Sequence, residues 1–262
     1  MHLTLRAARA SIRSAHRELV FNRAIARFMH SPTKAVLGSH GVVNDLIYGW
    51  GNEGWSAHHE YLAACVESAL GTSGAILECG LGLSTVLLAI VAQKRGLSLW
   101  SLEHLPIWAE RVQGCLVQRR IEGVRIHVAP LRLYGDFEWY AAPLADMPRQ
   151  FTLVVCDGPP SATRGGRYGL LPVMKDRLSD DCLILLDDAS RAAEQAIAQR
   201  WAEEAPCQVS LHGEAKPYFQ VRLDSHLLKV QAGMLGTTSG EVGANYMLRT
   251  TTVDANRQQP GQ

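Results

Sequence analysis

The chain has 262 residues, of which 47% are hydrophobic and 19% charged, a balance that supports a packed globular core and excludes wholesale disorder. Twenty-six Lys and Arg face 25 Asp and Glu, for a formal charge of +1, so no global field holds nucleic acid, and no apolar run reaches the roughly 18 residues of a membrane span. The six cysteines are scattered, with no C-x-x-C pair, which argues against a disulfide framework or a zinc site and suits a reducing, cytoplasmic setting.

Charge is concentrated at the start. Residues 1–34 carry seven basic residues (Arg6, Arg9, Arg13, Arg17, Arg23, Arg27, Lys34) against Glu18 alone, a balance of +6, and the remaining 228 residues carry −5. Leu5, Ile12, Leu19, Ile25 and Phe28 recur at roughly helical spacing, which predicts a basic amphipathic helix. Three uses are open to it: docking on the main domain or on a second subunit, as in a homodimer built through residues 1–35; meeting an anionic substrate or a membrane; or service as an Arg-rich import leader. Residues 38–56, with the aromatic stretch GVVNDLIYGWGNEGWS, read as a loop, and a helix over 57–70 is expected to be capped by Ser56. The expected division is a basic helix and aromatic segment over 1–56, a main domain over 57–249, and a polar, disordered tail over 250–262.

From residue 75 strands alternate with helices. Strands are expected at 75–79, 97–102, 124–128, 151–156 and 182–186, and helices at 84–94, 106–119, 170–178 and 191–204. This alternation predicts an α/β fold with a mostly parallel sheet. The strands are near-continuous apolar runs, as strands buried on both faces should be. Further strands, with a hairpin at the sheet edge, are expected within 208–249.

The strongest local signal is ILECGLGLST, residues 76–85. A strand runs into Gly80-Leu81-Gly82 and a helix starts near Ser84, so the backbone can approach a ligand closely at a helix N-terminus. Glu103 ends the next strand, where a carboxylate can accept from both hydroxyls of an adenosine ribose. A dinucleotide fingerprint wants glycine at position 85, and Thr85 stands there.

ECGLGLST followed by SLEH, together with the DGPP turn at residues 157–160, resembles the class I S-adenosylmethionine-dependent methyltransferases, in particular a bacterial branch with LECGSGLST-type loops. The similarity runs from about Gly49 to Trp201. The resemblance implies a Rossmann-like fold, with a mostly parallel seven-stranded sheet and helices on both faces, and S-adenosyl-L-methionine as cofactor. It also implies that Glu78, Gly80, Gly82 and Ser84 meet the methionine part, that Glu103 binds the ribose, and that His104 lines the adenine pocket. The position after the third strand holds Ala129-Pro130-Leu131, so adenine would be read by backbone and apolar contact. In the aromatic segment, Asn52 is placed to bind the cofactor carboxylate. Trp50 or Trp55 either walls the methyl-donor site or anchors the N-terminal helices.

Asp157, Asp187 and Asp188 follow two strands and converge on the carboxyl edge of the sheet, where open α/β folds bind ligands. Three like charges need compensation, and a hard divalent cation such as Mg2+ would supply it. Some related O-methyltransferases bind magnesium with this layout, which makes the three aspartates metal ligands and Asp157 the residue at both cofactor and chemistry. The alternatives are that Asp188 caps the helix over 190–204 and that Asp157 pairs with Arg164, Arg167 or Arg191. The position two residues after Asp157, where some metal-dependent relatives carry a base, holds Pro159. Ser161, Arg164, Arg167 and Tyr168 read as a flexible polar loop over this edge. The functional expectation is methyl transfer to a small molecule, at oxygen, with a metal assisting and no stable nucleic-acid partner. The alternatives are metal-free N-, C- or protein-side-chain methylation, and a silent cofactor-binding scaffold.

Overall fold

A computed structural model describes residues 2–37, 41–52 and 57–224, with side chains from residue 10 onward. The basic N-terminal segment is one long helix, α1 (His2–His30). Its second half presents Phe21, Ala24, Ile25 and Phe28 on one stripe, and all four are buried, at about 1.5–3 kcal/mol for each large side chain. Residues 10–19 lie largely open, with Ile12 69% and Leu19 49% exposed. Packing against the rest of the protein is thus carried by the stretch from Phe21 to Phe28.

After α2 (Pro32–Leu37) comes α3 (Gly41–Trp50), where a loop was expected. The glycines suggested irregular chain, yet Val43, Leu46 and Trp50 share one buried helical face. A Cβ at Gly49 would lie 2.5 Å from Phe21 Cβ, so this glycine lets α3 cross α1 at close range. Helix α4 (His59–Gly71) starts behind His58 without a side-chain cap. Ser56, the expected cap, and Trp55 lie outside the described residues.

The alternating region forms β1 (Ala75–Cys79), α5 (Leu83–Arg95), β2 (Leu99–Glu103), α6 (Pro106–Gln118) and β3 (Val124–Val128). A short hairpin follows, β4 (Leu131–Tyr134) and β5 (Phe137–Tyr140), then β6 (Phe151–Cys156), α7 (Leu170–Met174), β7 (Leu178–Leu186) and α8 (Ala192–Glu204). The chain then forms β8 (Cys207–His212) and β9 (Tyr218–Leu223), the expected edge hairpin. The remainder of the 208–249 region, and the tail, lie outside the described residues.

Seven strands pair in the order β3-β2-β1-β6-β7-β9-β8. All pairings from β3 to β7 are parallel, and β9 is antiparallel to both of its neighbours. One core packs α1, α3, α4, α5 and α6 against one face, and the other packs α7, α8 and the β4–β5 hairpin against the opposite face. This is the Rossmann-like class I methyltransferase fold. Among the described residues no helix is long and apolar enough to cross a membrane, and all six cysteines are unpaired thiols.

Candidate functional site

The register of the sheet gathers the site. Leu102, Cys79, Cys156 and Leu186 stand in one row across β2, β1, β6 and β7. The next position along each strand lies at the same edge, which brings Glu103, the last residue of β2, together with Gly80, Asp157 and Asp187, the first residues past β1, β6 and β7. Strand β9 runs the opposite way, with Phe219 opposite Leu186, so the turn before it carries Lys216 to the same edge. Asn52, Gly80, Gly82, Ser84, Glu103, His104, Tyr140, Asp157 and Asp188 all line a single cavity of about 640 Å³.

The glycine loop is held from below. Glu78 is fully buried and opposite Ser101 in the register; it accepts from Ser84 Oγ at 2.7 Å and Ser101 Oγ at 2.8 Å. Burial pushes its carboxyl up to about 7 against these two bonds. Glu78 thus anchors the loop from behind rather than facing the cavity. Thr85 is buried, and its Oγ1 accepts from Gly82 N at 2.9 Å, which ties the turn to the first turn of α5.

Gly80 has φ +88°, and a Cβ there would lie 2.9 Å from Gly158 N. Its backbone crosses the Asp157-Gly158 turn in contact, and only glycine fits both the dihedral and the gap. Gly82 differs: a Cβ added there meets nothing within 4 Å, because the position faces the cavity. The Gly158–Pro159 bond is cis.

Glu103 accepts three backbone N–H groups: His104 at 2.7 Å and Leu105 at 2.8 Å on Oε1, and Leu81 at 3.1 Å on Oε2. It locks the loop after β2 to the glycine loop, and a carboxylate has about four lone-pair sites, so one remains for a ligand hydroxyl. His104 Nδ1 lies 2.9 Å from Glu103 Oε1. Tyr140 reaches the cavity from β5. Its Oη is buried with no hydrogen-bond partner among the described residues, although a buried hydroxyl normally has one. The sequence signal for this hairpin is Gly135-Asp136, a two-residue turn between two short strand-forming runs, LRLY and FEWY. Trp50 lies at the meeting of the cavity and the N-terminal helices. It lines the cavity, and it packs on Phe21 at 6.0 Å between centroids and under the Arg111 guanidinium at 4.6 Å.

The aspartates are compensated by side chains. Arg167 is almost wholly buried, and its Nη2 sits 3.0 Å from Asp157 Oδ1 and 2.9 Å from Asp188 Oδ2. It also donates to the carbonyls of Asp187 and Asp157, both at 2.8 Å. Lys216 Nζ lies 2.9 Å from Asp188 Oδ1 and 3.3 Å from Asp187 Oδ2, and Arg191 Nη1 lies 2.8 Å from Asp188 Oδ2. Three carboxylates thus meet three cations. The expected flexible polar loop is corrected here: Arg167 and Tyr168 are 2% and 6% exposed. Arg167 is fixed by the aspartates, and Tyr168 by its Oη bond to Glu204 and its carbonyl bond from Trp201. Asp188 does not cap α8, whose N-cap is Arg191 with no side-chain cap bond. Lys216 escaped the sequence reading because no local pattern links a turn lysine to an aspartate 29 residues away.

The three titrate differently. Burial raises Asp157 to about 7, with Arg167 opposing and Asp187 and Asp188 adding. Burial also raises Asp187, against Lys216. Burial would raise Asp188 as well, but Arg167, Lys216 and Arg191 hold it below its ordinary value. The carboxylate oxygens lie within 4.8 Å of one another, a spacing suited to a divalent ion. Arg167 and Lys216 already hold Asp157 Oδ1, both oxygens of Asp188 and Asp187 Oδ2, while Asp187 Oδ1 is buried with no hydrogen-bond partner among the described residues.

No protein-family model matches the chain, and no curated protein matches it by sequence. Solved structures do match its fold. It is similar to the SAH-bound methyltransferase PaMTH1 of Podospora anserina, with 15% identity, a TM-score of 0.51, and coverage of 66% of this chain and 82% of that one. It also aligns with a ribosomal protein L11 methylase of Lactobacillus delbrueckii subsp. bulgaricus (17% identity, TM-score 0.46, 63% and 76% covered). A third alignment is with the precorrin-6y C5,15-methyltransferase of Geobacter metallireducens GS-15 (13% identity, TM-score 0.46, 65% and 92% covered).

Proposed function

We propose that the protein is an S-adenosylmethionine-dependent methyltransferase that acts on a hydroxyl of a small molecule without a metal. The observation that carries this reading is the cavity at the carboxyl edge of the sheet, where the glycine loop, Glu103 and the orphan hydroxyl of Tyr140 converge on one space. The residues fit the cofactor. Gly82 leaves a gap that a side chain would fill, Tyr140 Oη needs a partner, and Glu103 keeps acceptor capacity for a ribose hydroxyl. Asn52 and His104 line the same space. The cofactor supplies a methyl group activated on a sulfonium.

The protein's part is to orient the acceptor, exclude water and remove its proton. Asp157 is the proposed general base. It lines the cavity, its side chain is 27% exposed, and a carboxyl raised to about 7 is matched to proton removal near neutral pH. Arg167 fixes its orientation through Oδ1. Arg167 also supplies the positive charge that the aspartate cluster would otherwise draw from magnesium.

Calorimetric titration with S-adenosylhomocysteine, with NAD as control, tests the cofactor. Micromolar binding of S-adenosylhomocysteine and none of NAD is expected, and the reverse overturns the reading. The second reading, a magnesium-assisted enzyme, draws on the 4.8 Å clustering of the three carboxylates. It predicts that chelator abolishes turnover, whereas the reading adopted here predicts none of that loss.

A further inference from the structure

We infer that a second cavity, next to the first, is a binding site for a phosphate- or pyrophosphate-bearing group, and that it anchors the anionic tail of the methyl acceptor. It has about 710 Å³ and lies between α1, the end of α3 and α6, a volume in the range of small-molecule sites. Arg13 and Arg17 reach it from α1, Arg111 from α6 and Arg119 from just past the end of α6, against Glu18 as the one acid among the described lining residues. Arg119 already donates from Nη1 to Gln118 Oε1 and from Nη2 to Asn22 Oδ1, and Arg111 from Nη2 to the Trp50 carbonyl, so the four guanidinium groups act on the concave space chiefly as a cluster of fixed positive charge with the remaining donors, an environment that favours oxyanions. The aromatic faces are already covered: Arg111 lies 4.6 Å over Trp50, and Arg119 lies 4.9 Å over Phe21. The ligand part that fits is therefore anionic rather than a stacked ring.

The position of this cavity ties it to the chemistry. Trp50 lines both cavities. On α6, Trp108 borders the first while Arg111 and Cys115, three and seven residues on, border the second, since they share one helix face. The Arg111 guanidinium sits between Trp50 and Trp108, at 4.6 and 5.0 Å from their rings. It also donates to the Trp50 carbonyl. An acceptor whose anionic end lies among the arginines would reach past Trp50 toward Asp157. This assigns the concentration of basic residues on α1 to substrate binding, and the anchoring role rests on the methyltransferase reading above.

The test is calorimetric titration of the full-length protein with inorganic pyrophosphate, at fixed ionic strength, in the presence and absence of S-adenosylhomocysteine. The variants are Arg13→Gln/Arg17→Gln and, because Arg17 also lies 5.3 Å over the Tyr48 ring, Arg13→Glu at an exposed position, which leaves that contact in place. Arg111 and Arg119 are left intact because they also tie α6 to Trp50 and Asn22. The expected result is saturable pyrophosphate binding to the parent, at least tenfold weaker in the double variant and in Arg13→Glu, with S-adenosylhomocysteine affinity unchanged. Absence of pyrophosphate binding at 10 mM, or equal affinity in parent and variants, overturns the site. Sedimentation with phosphatidylglycerol vesicles, or retention of RNA, that pyrophosphate does not compete away also overturns it, in favour of a membrane or nucleic-acid surface. Loss of S-adenosylhomocysteine binding in the parent would instead strike the methyltransferase reading and leave the anion site standing.

Discussion

Arg167→Met isolates the residue on which the aspartate cluster depends. Methionine keeps much of the stem and removes the guanidinium. Asp157 Oδ1, Asp188 Oδ2 and the carbonyls of Asp157 and Asp187 then lose donors now at 2.8–3.0 Å. The Arg167 side chain is 3% exposed, so solvent does not screen the loss. Breaking a buried ion pair from one side costs about 3–5 kcal/mol. Asp188 keeps Lys216 and Arg191, which points to the lower end, about 3 kcal/mol. At about 2–4 °C per kcal/mol for a domain of this size, the melting temperature should fall by about 6–12 °C at pH 8 in scanning calorimetry.

The sign of the pH dependence follows from the same geometry. Arg167 lowers the Asp157 pKa, so its removal raises that pKa further. Below the folded value the carboxyl is protonated and needs no cation; above it the charge is uncompensated. A group whose folded pKa is raised above its unfolded value loses stability as pH rises. The deficit of the variant should therefore be smaller at pH 5.5 than at pH 8. Magnesium at 5 mM should recover part of the loss in the variant, by taking the freed carboxylates, and should leave the parent unchanged. A fall below about 2 °C at pH 8 refutes the account. Stabilisation of the parent by several degrees on adding magnesium refutes the metal-free reading.

Glu103→Gln should weaken S-adenosylhomocysteine binding by about 1–3 kcal/mol, the scale of a lost charged hydrogen bond; an unchanged calorimetric affinity would remove Glu103 from the ribose site. Gly80→Ala should destabilise the fold by about 2 kcal/mol or more, because its Cβ meets the Gly158 backbone at a positive φ. Gly82→Ala should shift melting little and weaken cofactor binding, because its Cβ enters only the cavity; a destabilised Gly82→Ala protein would contradict that placement. Turnover should rise with pH through about 7 as Asp157 ionises, and Asp157→Asn should cut it by about 10²–10⁴-fold. A pH profile that keeps the same inflection in Asp157→Asn would assign the base elsewhere.

The sequence by itself determined the alternating strands and helices, the glycine turn and the carboxylates at strand ends. Each is a local matter: apolar runs of strand length, helical periodicity, and residues that end a run. An edge hairpin somewhere within 208–249 was legible for the same reason, and the structure places it at Cys207–Leu223. Helix α3 was not, because Gly49 looks like a break until Phe21, 28 residues earlier, is seen packed against it. The β4–β5 hairpin was legible in principle from Gly135-Asp136, although its consequence, Tyr140 in the cavity, was not.

Only the tertiary structure decided what neutralises Asp157, Asp187 and Asp188. Charge alone left a metal and an arginine equally able to balance them. The outcome depended on whether the loop after β6 brought Arg167 inward and whether the antiparallel β9 brought Lys216 to the same edge. Long-range register sets both, because it fixes which strand ends share a row. No pattern within a short window of sequence carries that information.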